Sequence, residues 1–209
     1  LSVGACQAEG SILESYVNAN AAIDIALGRG GDQAVVNNGK TFDFYGGKSK
    51  ALEKRNKVKA RVIGDALRQL IDQSEQVFVM GHKNPDMDSI GSAIGVMRAI
   101  DNRDKPAYLV LNDINPSIKN LMERMGSHSL EMLKRVITSE EALNIASKES
   151  LLIVVDNHRP SMTEEPQLLE KIPKVVVIDH HRRGAAFIKE PVLVYLEPYA
   201  SSASELVTE

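Results

Sequence analysis

Three short, unbroken apolar runs constrain this chain most: Val77–Met80, Leu151–Val155 and Val175–Ile178. Each is strand-sized, rich in aliphatic residues and continuous. A strand wetted on one side alternates apolar with polar residues, so continuous runs suit strands covered on both faces, as in a parallel sheet. Between the runs the apolar spacing becomes helical. Helices are expected at Ile90–Ile100, Ile118–Met125 and Glu140–Ser147, and a further strand at Ala107–Leu111. Strand alternating with helix predicts an α/β domain with a doubly wound, mainly parallel sheet.

The core of such a domain must be aliphatic, because the 209 residues include 4 Phe, 5 Tyr and no Trp. The single Cys6 precludes an internal disulfide and fits a reducing compartment. A net charge of −3 gives no global pull towards DNA or an anionic membrane. No apolar run approaches a membrane span, and the opening Leu-Ser-Val-Gly-Ala-Cys lacks the basic stretch and cleavage pattern of a signal peptide. Both ends read as cuts into a longer chain.

The chain divides into three zones: 1–46, 47–75 and 76–209. In the first, a strand at Leu1–Cys6 precedes an Ala-rich helix at Ile12–Leu27. The helix carries Ile12, Tyr16, Ala19, Ile23, Ala26 and Leu27 on one face, and Gly28, Gly30 and Gly31 end it. Gln33–Val36 and Thr41–Tyr45 read as strands joined at Asn37-Asn38-Gly39, a strong hairpin signal. The second zone is a connecting helix from about Lys48 to Asp72, basic at first and then carrying an apolar stripe through Val58, Val62, Ile63, Ala66, Leu67, Leu70 and Ile71. A charge run of that kind ordinarily faces water.

The functional signal lies immediately after each apolar run. The first is succeeded by Gly81-His82-Lys83-Asn84-Pro85-Asp86-Met87-Asp88-Ser89. The second leads into Asp156-Asn157-His158-Arg159-Pro160, and the third into Asp179-His180-His181-Arg182-Arg183. Carboxyl ends of parallel strands line the ligand crevice. Taken singly, these residues read as caps and turns, and Asp88 before Ser89 has the look of an N-cap. Their recurrence at three strand ends is what argues for a site. Imidazoles mixed with carboxylates suit a divalent metal, Mn²⁺ foremost, with Zn²⁺, Fe²⁺ or Mg²⁺ behind it, and no thiolate favours structural zinc. His82, Asp86, Asp88, Asp156 and His180 bring several negative charges together, which would raise one another's pKa values. Two cations about 3.5–4 Å apart would neutralise them and form a clamp for displacement at phosphorus. Small residues at Gly91, Ser92, Ala93 and Gly95 predict close approach of the following helix to the sheet.

The pattern His82-x-x-x-Asp86-x-Asp88, strand-end Asp156, then Asp179-His180-His181 resembles the DHH phosphoesterase superfamily, from Val77 to about Val207. Gly81-His82-Lys83-x-Pro85-Asp86-Met87-Asp88-Ser89-Ile90-Gly91, Asp156-x-His158-Arg159-Pro160 and Glu197-Pro198-Tyr199-Ala200-Ser201-Ser202 resemble its cyclic di-AMP phosphodiesterases of the GdpP/YybT type. The first 46 residues look like the closing part of the degenerate GGDEF domain that precedes DHH there. The resemblance implies a Mn²⁺-dependent phosphodiesterase with two ions: His82, Asp86 and Asp156 on one, Asp88, Asp156 and His180 on the other. It implies that Asp179 orients His180, that His181 faces the phosphate and protonates the leaving oxygen, and that His158 and Arg159 lie beside the substrate. A further Asp ligand and the DHHA1 substrate domain are expected beyond Glu209. The implied substrate is a cyclic dinucleotide and not DNA, with a homodimer possible. The implied parent protein is tethered to a membrane through upstream segments and faces the cytoplasm. Short oligoribonucleotides, 3′-phosphoadenosine 5′-phosphate or pyrophosphate are alternative substrates. A non-catalytic sensing or docking role is the alternative of another kind.

Overall fold

In the computed structural model, which describes residues 2–7, 11–28, 31, 33–39, 41–46 and 57–209, the chain forms two units, Leu1–Asn56 and Lys57–Glu209. In the first, β1 (Val3–Cys6) is followed by α1 (Ile12–Gly28), β2 (Gln33–Asn37) and β3 (Phe42–Gly46). β1 pairs parallel with β2, and β2 antiparallel with β3. The hairpin turns where the Asn38 N–H donates to Thr41 O at 3.0 Å and Gly39 takes a φ of 79°. The expected face of α1 is met in part. Ala22, Ala26 and Val35 form the small core with Ile25 beside them, whereas Ile12, Tyr16 and Leu27 are exposed. Ala19 and Ile23 of that face do meet β1, closely enough that a Cβ at Gly4 would stand 2.3 Å from Ala19 O and 2.7 Å from Ile23 Cβ. Gly30 and the basic start of the connecting helix, 48–56, lie outside the described residues.

The second unit begins with α2 (Lys57–Asp72). Then come β4 (Val77–Met80), α3 (Met87–Asp101), β5 (Ala107–Val110), α4 (Pro116–His128), the single turn α5 (Leu130–Leu133) and β6 (Val136–Ile137). α6 (Ser139–Ile145), β7 (Leu151–Val155), α7 (Pro166–Lys171), β8 (Lys174–Asp179), β9 (Leu193–Leu196) and α8 (Ala203–Thr208) complete it. Rather than standing as a separate connector, α2 packs Ile63, Leu67, Leu70 and Ile71 against this unit's core, while Val62 of the expected stripe faces outward.

The sheet runs β6-β5-β4-β7-β8-β9, and every pairing is parallel. The continuous apolar runs divide between its two faces. Val77, Val79, Ile153, Val155, Val176 and Ile178 join α3 and α8 in one core. Phe78, Met80, Leu152, Val154, Val175 and Val177 join Ala142 of α6 and Leu168 of α7 in the other. Each such side chain stabilises the fold by roughly 1.5–3 kcal/mol on burial. The chain leaves β4 for β5 on one side and reaches β7 on the other, so the topological switch falls between β4 and β7. Register then sets the site: Met80 lies beside Val154 and Val155 beside Ile178, so Gly81, Asp156 and Asp179 emerge together at one sheet edge.

The small residues of α3 act only in part as expected. A Cβ at Gly95 would meet Val207 Cγ1 at 2.8 Å, and one at Gly91 would meet Ser204 Oγ at 3.0 Å. At these two glycines the close approach is to α8, while Ala93 packs into the core shared with the sheet.

Candidate metal centre

Asp156 is the hub. It ends β7 with φ 54°, a left-handed conformation that strains a residue with a side chain. Its N–H donates to Ile178 O at 2.8 Å, and the side chain is 3% exposed. Oδ2 lies 3.6 Å from His82 Nε2, while Oδ1 lies 3.5 Å from His180 Nε2 and 3.6 Å from His181 Nδ1. Asp86 Oδ1 is 3.9 Å from His82 Nε2, and Asp88 Oδ2 is 3.7 Å from His180 Nε2. Thus His82, Asp86, Asp88, Asp156, His180 and His181 converge as the sequence predicts. His128 stands apart on α4, with Nδ1 against Arg124 O.

These separations are too long for hydrogen bonds. They are near the ~3.0–3.4 Å between atoms that share one cation at about 2.1 Å. Asp156 Oδ1 is buried and has no hydrogen-bond partner, a costly state for a carboxylate unless a cation completes it. Two sets of donor atoms, His82/Asp86/Asp156 and Asp156/His180/His181, each gather within 4.8 Å. The donor set therefore fits divalent metal on both sides of Asp156. His181 belongs to its set by distance but not by chemistry, because the Nδ1 atom that approaches Asp156 is engaged elsewhere.

That engagement is Asp179, fully buried at the end of β8. Oδ1 accepts from His181 N–H at 3.1 Å and from His181 Nδ1 at 2.7 Å, and Oδ2 accepts from His158 Nδ1 at 2.5 Å. Burial alone would raise this carboxyl, but the donors from His158 and His181 outweigh it and hold the pKa below its ordinary value. One expectation is corrected here. Asp179 orients His158 and His181, whereas His180 Nδ1 is set by Ala200 O at 3.3 Å. His158 is 1% exposed and stacked on Phe187, and its Nε2 accepts from Gly184 N–H at 3.1 Å. With both nitrogens committed within the protein, it braces the site. Arg159 is exposed at the rim, and Arg183 lies 4.4 Å over the Phe187 ring.

The N-cap expected at Asp88 belongs to Asp86, whose Oδ1 accepts from Asp88 N–H at 2.9 Å and Ser89 N–H at 3.0 Å. Asp88, second residue of the helix, accepts from Ala203 N–H at 2.7 Å and Ser204 N–H at 2.8 Å. Burial opposes its ionisation, but Ser204 and Ala203 outweigh burial and lower its pKa. Ala200, Ala203 and Gly184 act through backbone groups, so no side-chain signal announces them, whereas Ser204 adds its hydroxyl to its N–H. At the hub, burial pushes the Asp156 carboxyl upward. Beside it the Asp156 carboxylate, opposed by partial burial and helped by Lys83 O, lifts His82 from 6.5 to about 9. Without a cation, the pair holds a proton.

Residues 76–209 match the DHH family, N-terminal domain. The whole chain is 47% identical to the cyclic-di-AMP phosphodiesterase GdpP of Bacillus subtilis (strain 168) and 48% identical to the cyclic-di-AMP phosphodiesterase PdeA of Listeria monocytogenes serotype 1/2a (strain 10403S). It spans 32% of the length of each. Over 61% of the chain it is 33% identical to the manganese-dependent inorganic pyrophosphatase of Methanocaldococcus jannaschii, covering 36% of that protein. Its fold matches the crystal structure of an exopolyphosphatase-related protein from Bacteroides fragilis with a TM-score of 0.54 at 19% identity, over 70% of this chain and 42% of that one. Every side chain gathered around Asp156 falls within the matched segment, and on that footing the chain belongs to the DHH family.

Proposed function

We propose that this chain is the metal-binding part of a phosphodiesterase that opens cyclic di-AMP to linear pApA with two divalent cations, Mn²⁺ first among them. The observation that carries the reading is Asp156: buried, strained, with one oxygen orphaned, and lying between two His/Asp sets. The names of relatives alike over the whole chain support the substrate class. His82, Asp86 and Asp156 would hold one ion, and Asp88, Asp156 and His180 the other. Bound there, the cations would supply a water of lowered pKa and neutralise phosphate charge. Asp88, kept ionised by the hydroxyl and N–H of Ser204 and the N–H of Ala203, is ready for that role without losing a proton. His181 donates Nδ1–H to Asp179, which leaves Nε2 as the atom able to hold a proton for the departing 3′-oxygen. Arg159 at the rim is a phosphate contact.

The first 46 residues are read as the closing part of a degenerate GGDEF domain. No helix among the described residues is long and apolar enough to cross a membrane, so a tether in the parent protein would belong to other segments. The pyrophosphatase relative keeps pyrophosphate as the second substrate reading. The test compares Mn²⁺-dependent cleavage of cyclic di-AMP, pApA and pyrophosphate by the intact protein that carries this chain, with and without Asp156→Asn. Preferred cleavage of cyclic di-AMP, lost in the variant, is expected. Full activity in the variant, or a preference for pyrophosphate, overturns the reading.

A further inference from the structure

Next to the metal centre lies a cavity of about 280 Å³, lined by Lys83, Asn84, Pro85, Asn112, Asp113, Asn115 and Glu164. One wall is the loop that carries His82 and Asp86; the opposite wall is the loop after β5. The walls are stiff because their polar groups are already used. Asn112 exchanges hydrogen bonds with Ser139 at 2.8 and 2.9 Å, and its N–H donates to Glu164 Oε1 at 2.9 Å. Asn115 caps α4 through Ser117 N–H at 2.8 Å and donates to Pro85 O at 2.7 Å. Asn84 sits in the left-handed region at φ 54°. Among the described residues, the side chains of Lys83, Asn84 and Asp113 have no such partner, and they are exposed.

The chemistry of the lining selects a class of ligand. Two carboxylates against one lysine disfavour a second phosphate. Apolar and polar surface line it in about equal parts, so it does not select a wholly hydrophobic ligand. What suits it is a neutral group with several hydroxyl or amino donors. In sheets of this strand order the switch-point crevice binds nucleotides, and an acidic group near the end of the strand next to the first accepts from ribose hydroxyls. Asp113, just past β5, occupies that place relative to β4.

We propose that this cavity seats one nucleoside of the substrate, with Asp113 and Glu164 accepting from its hydroxyl or amino groups. Asn84 contributes its amide, and the scissile phosphate lies at the metal centre across the His82–Asp86 loop. The inference rests on the proposed dinucleotide substrate and names the part of the chain that would recognise it. It makes Asp113 a specificity residue with no part in the chemical step.

The test uses the intact protein with Mn²⁺ and two substrates: cyclic di-AMP, and bis(p-nitrophenyl) phosphate, a diester without a nucleoside. Asp113→Ala removes a carboxylate, and Glu164→Gln keeps the bond from Asn112 N–H while removing charge. Each variant is expected to raise KM for cyclic di-AMP by about tenfold, the effect of losing one charge-assisted hydrogen bond. Turnover of bis(p-nitrophenyl) phosphate should stay at the wild-type rate. Equal losses on both substrates, or no loss on either, overturn the cavity's role. A wild-type protein that cleaves the nitrophenyl diester and ignores cyclic di-AMP instead overturns the proposed function, a result visible before any variant is made.

Discussion

His158 offers a test in which two readings of one residue predict opposite rankings. Its Nδ1 donates to Asp179 Oδ2 at 2.5 Å, and its Nε2 accepts from Gly184 N–H at 3.1 Å. In His158→Asn the amide nitrogen takes the place of Nδ1, so the Asp179 bond survives and the Gly184 bond is lost. In His158→Gln the amide oxygen takes the place of Nε2, so Gly184 is kept and Asp179 loses a donor. A hydrogen bond to a charged group contributes about 1.5–3 kcal/mol, and Asp179 is fully buried, where no water replaces it. If that carboxylate turns to find another donor, it releases His181 Nδ1 and with it the direction of Nε2. The Gln variant should therefore lose about 10–100-fold in kcat on cyclic di-AMP at little-changed KM. The Asn variant should stay within a few-fold of wild type. Both should be destabilised by about 1–3 kcal/mol in urea titration, because each gives up one hydrogen bond and the stack on Phe187. A His158 that touched substrate through Nε2 would reverse the ranking. Equal kcat in the two variants, or a better Gln variant, refutes the bracing role.

Two further outcomes concern the same edge of the sheet. A Cβ at Gly81 would stand 1.9 Å from Ser89 Oγ, a buried hydroxyl without a partner. Gly81→Ala should therefore cost about 1–3 kcal/mol by overpacking, and Ser89→Ala should recover much of it; strictly additive urea midpoints for the pair would contradict the contact. In the metal-free protein His82 titrates near 9 instead of 6.5. A raised folded-state pKa gives stability that is full below about 6.5 and lost as pH climbs through about 9, and Mn²⁺ affinity rises over the same window as the proton leaves. Urea midpoints from pH 6 to 10 in chelator should show this slope in wild type and lose it in His82→Gln.

The fold is largely legible because its central strands carry the strongest signal a sequence can give. Residues such as Phe78 and Val79 belong to opposite cores, so the run admits no polar position. β6 and β9 are hard to read for the converse reason: two and four residues, half-buried at the sheet edges, offer little pattern. The site's membership is legible too, since strand ends must meet in a parallel sheet. Its wiring is not. Whether Asp179 faces His158, His180 or His181 depends on the pleat at the end of β8. That Asp88 holds the start of α8 depends on a contact spanning more than a hundred residues. α1 is legible only in part: Ala26 of its expected face is buried while Ile12, Tyr16 and Leu27 are exposed, and hydrophobicity does not say which members of an apolar stripe find a partner.

Asp156 concentrates the cost of this arrangement, and that cost can be measured. A residue with a side chain at φ 54° gives up about 1 kcal/mol relative to glycine. A buried oxygen with no partner adds about 1–3 kcal/mol. Near pH 7 the protonated His82 offsets part of this, so the cost is clearest above the His82 pKa. In chelator at pH 9.5, Asp156→Gly should then be more stable than wild type by about 2 kcal/mol, a rare sign for a change at a buried position. At pH 7.5 with Mn²⁺ the order should invert, because wild type gains binding free energy that the variant cannot. If Asp156→Gly were less stable under both conditions, the carboxylate would be a structural member of the fold. It would not then be a group held in strain for a cation, and the case for a metal centre would lose its main support.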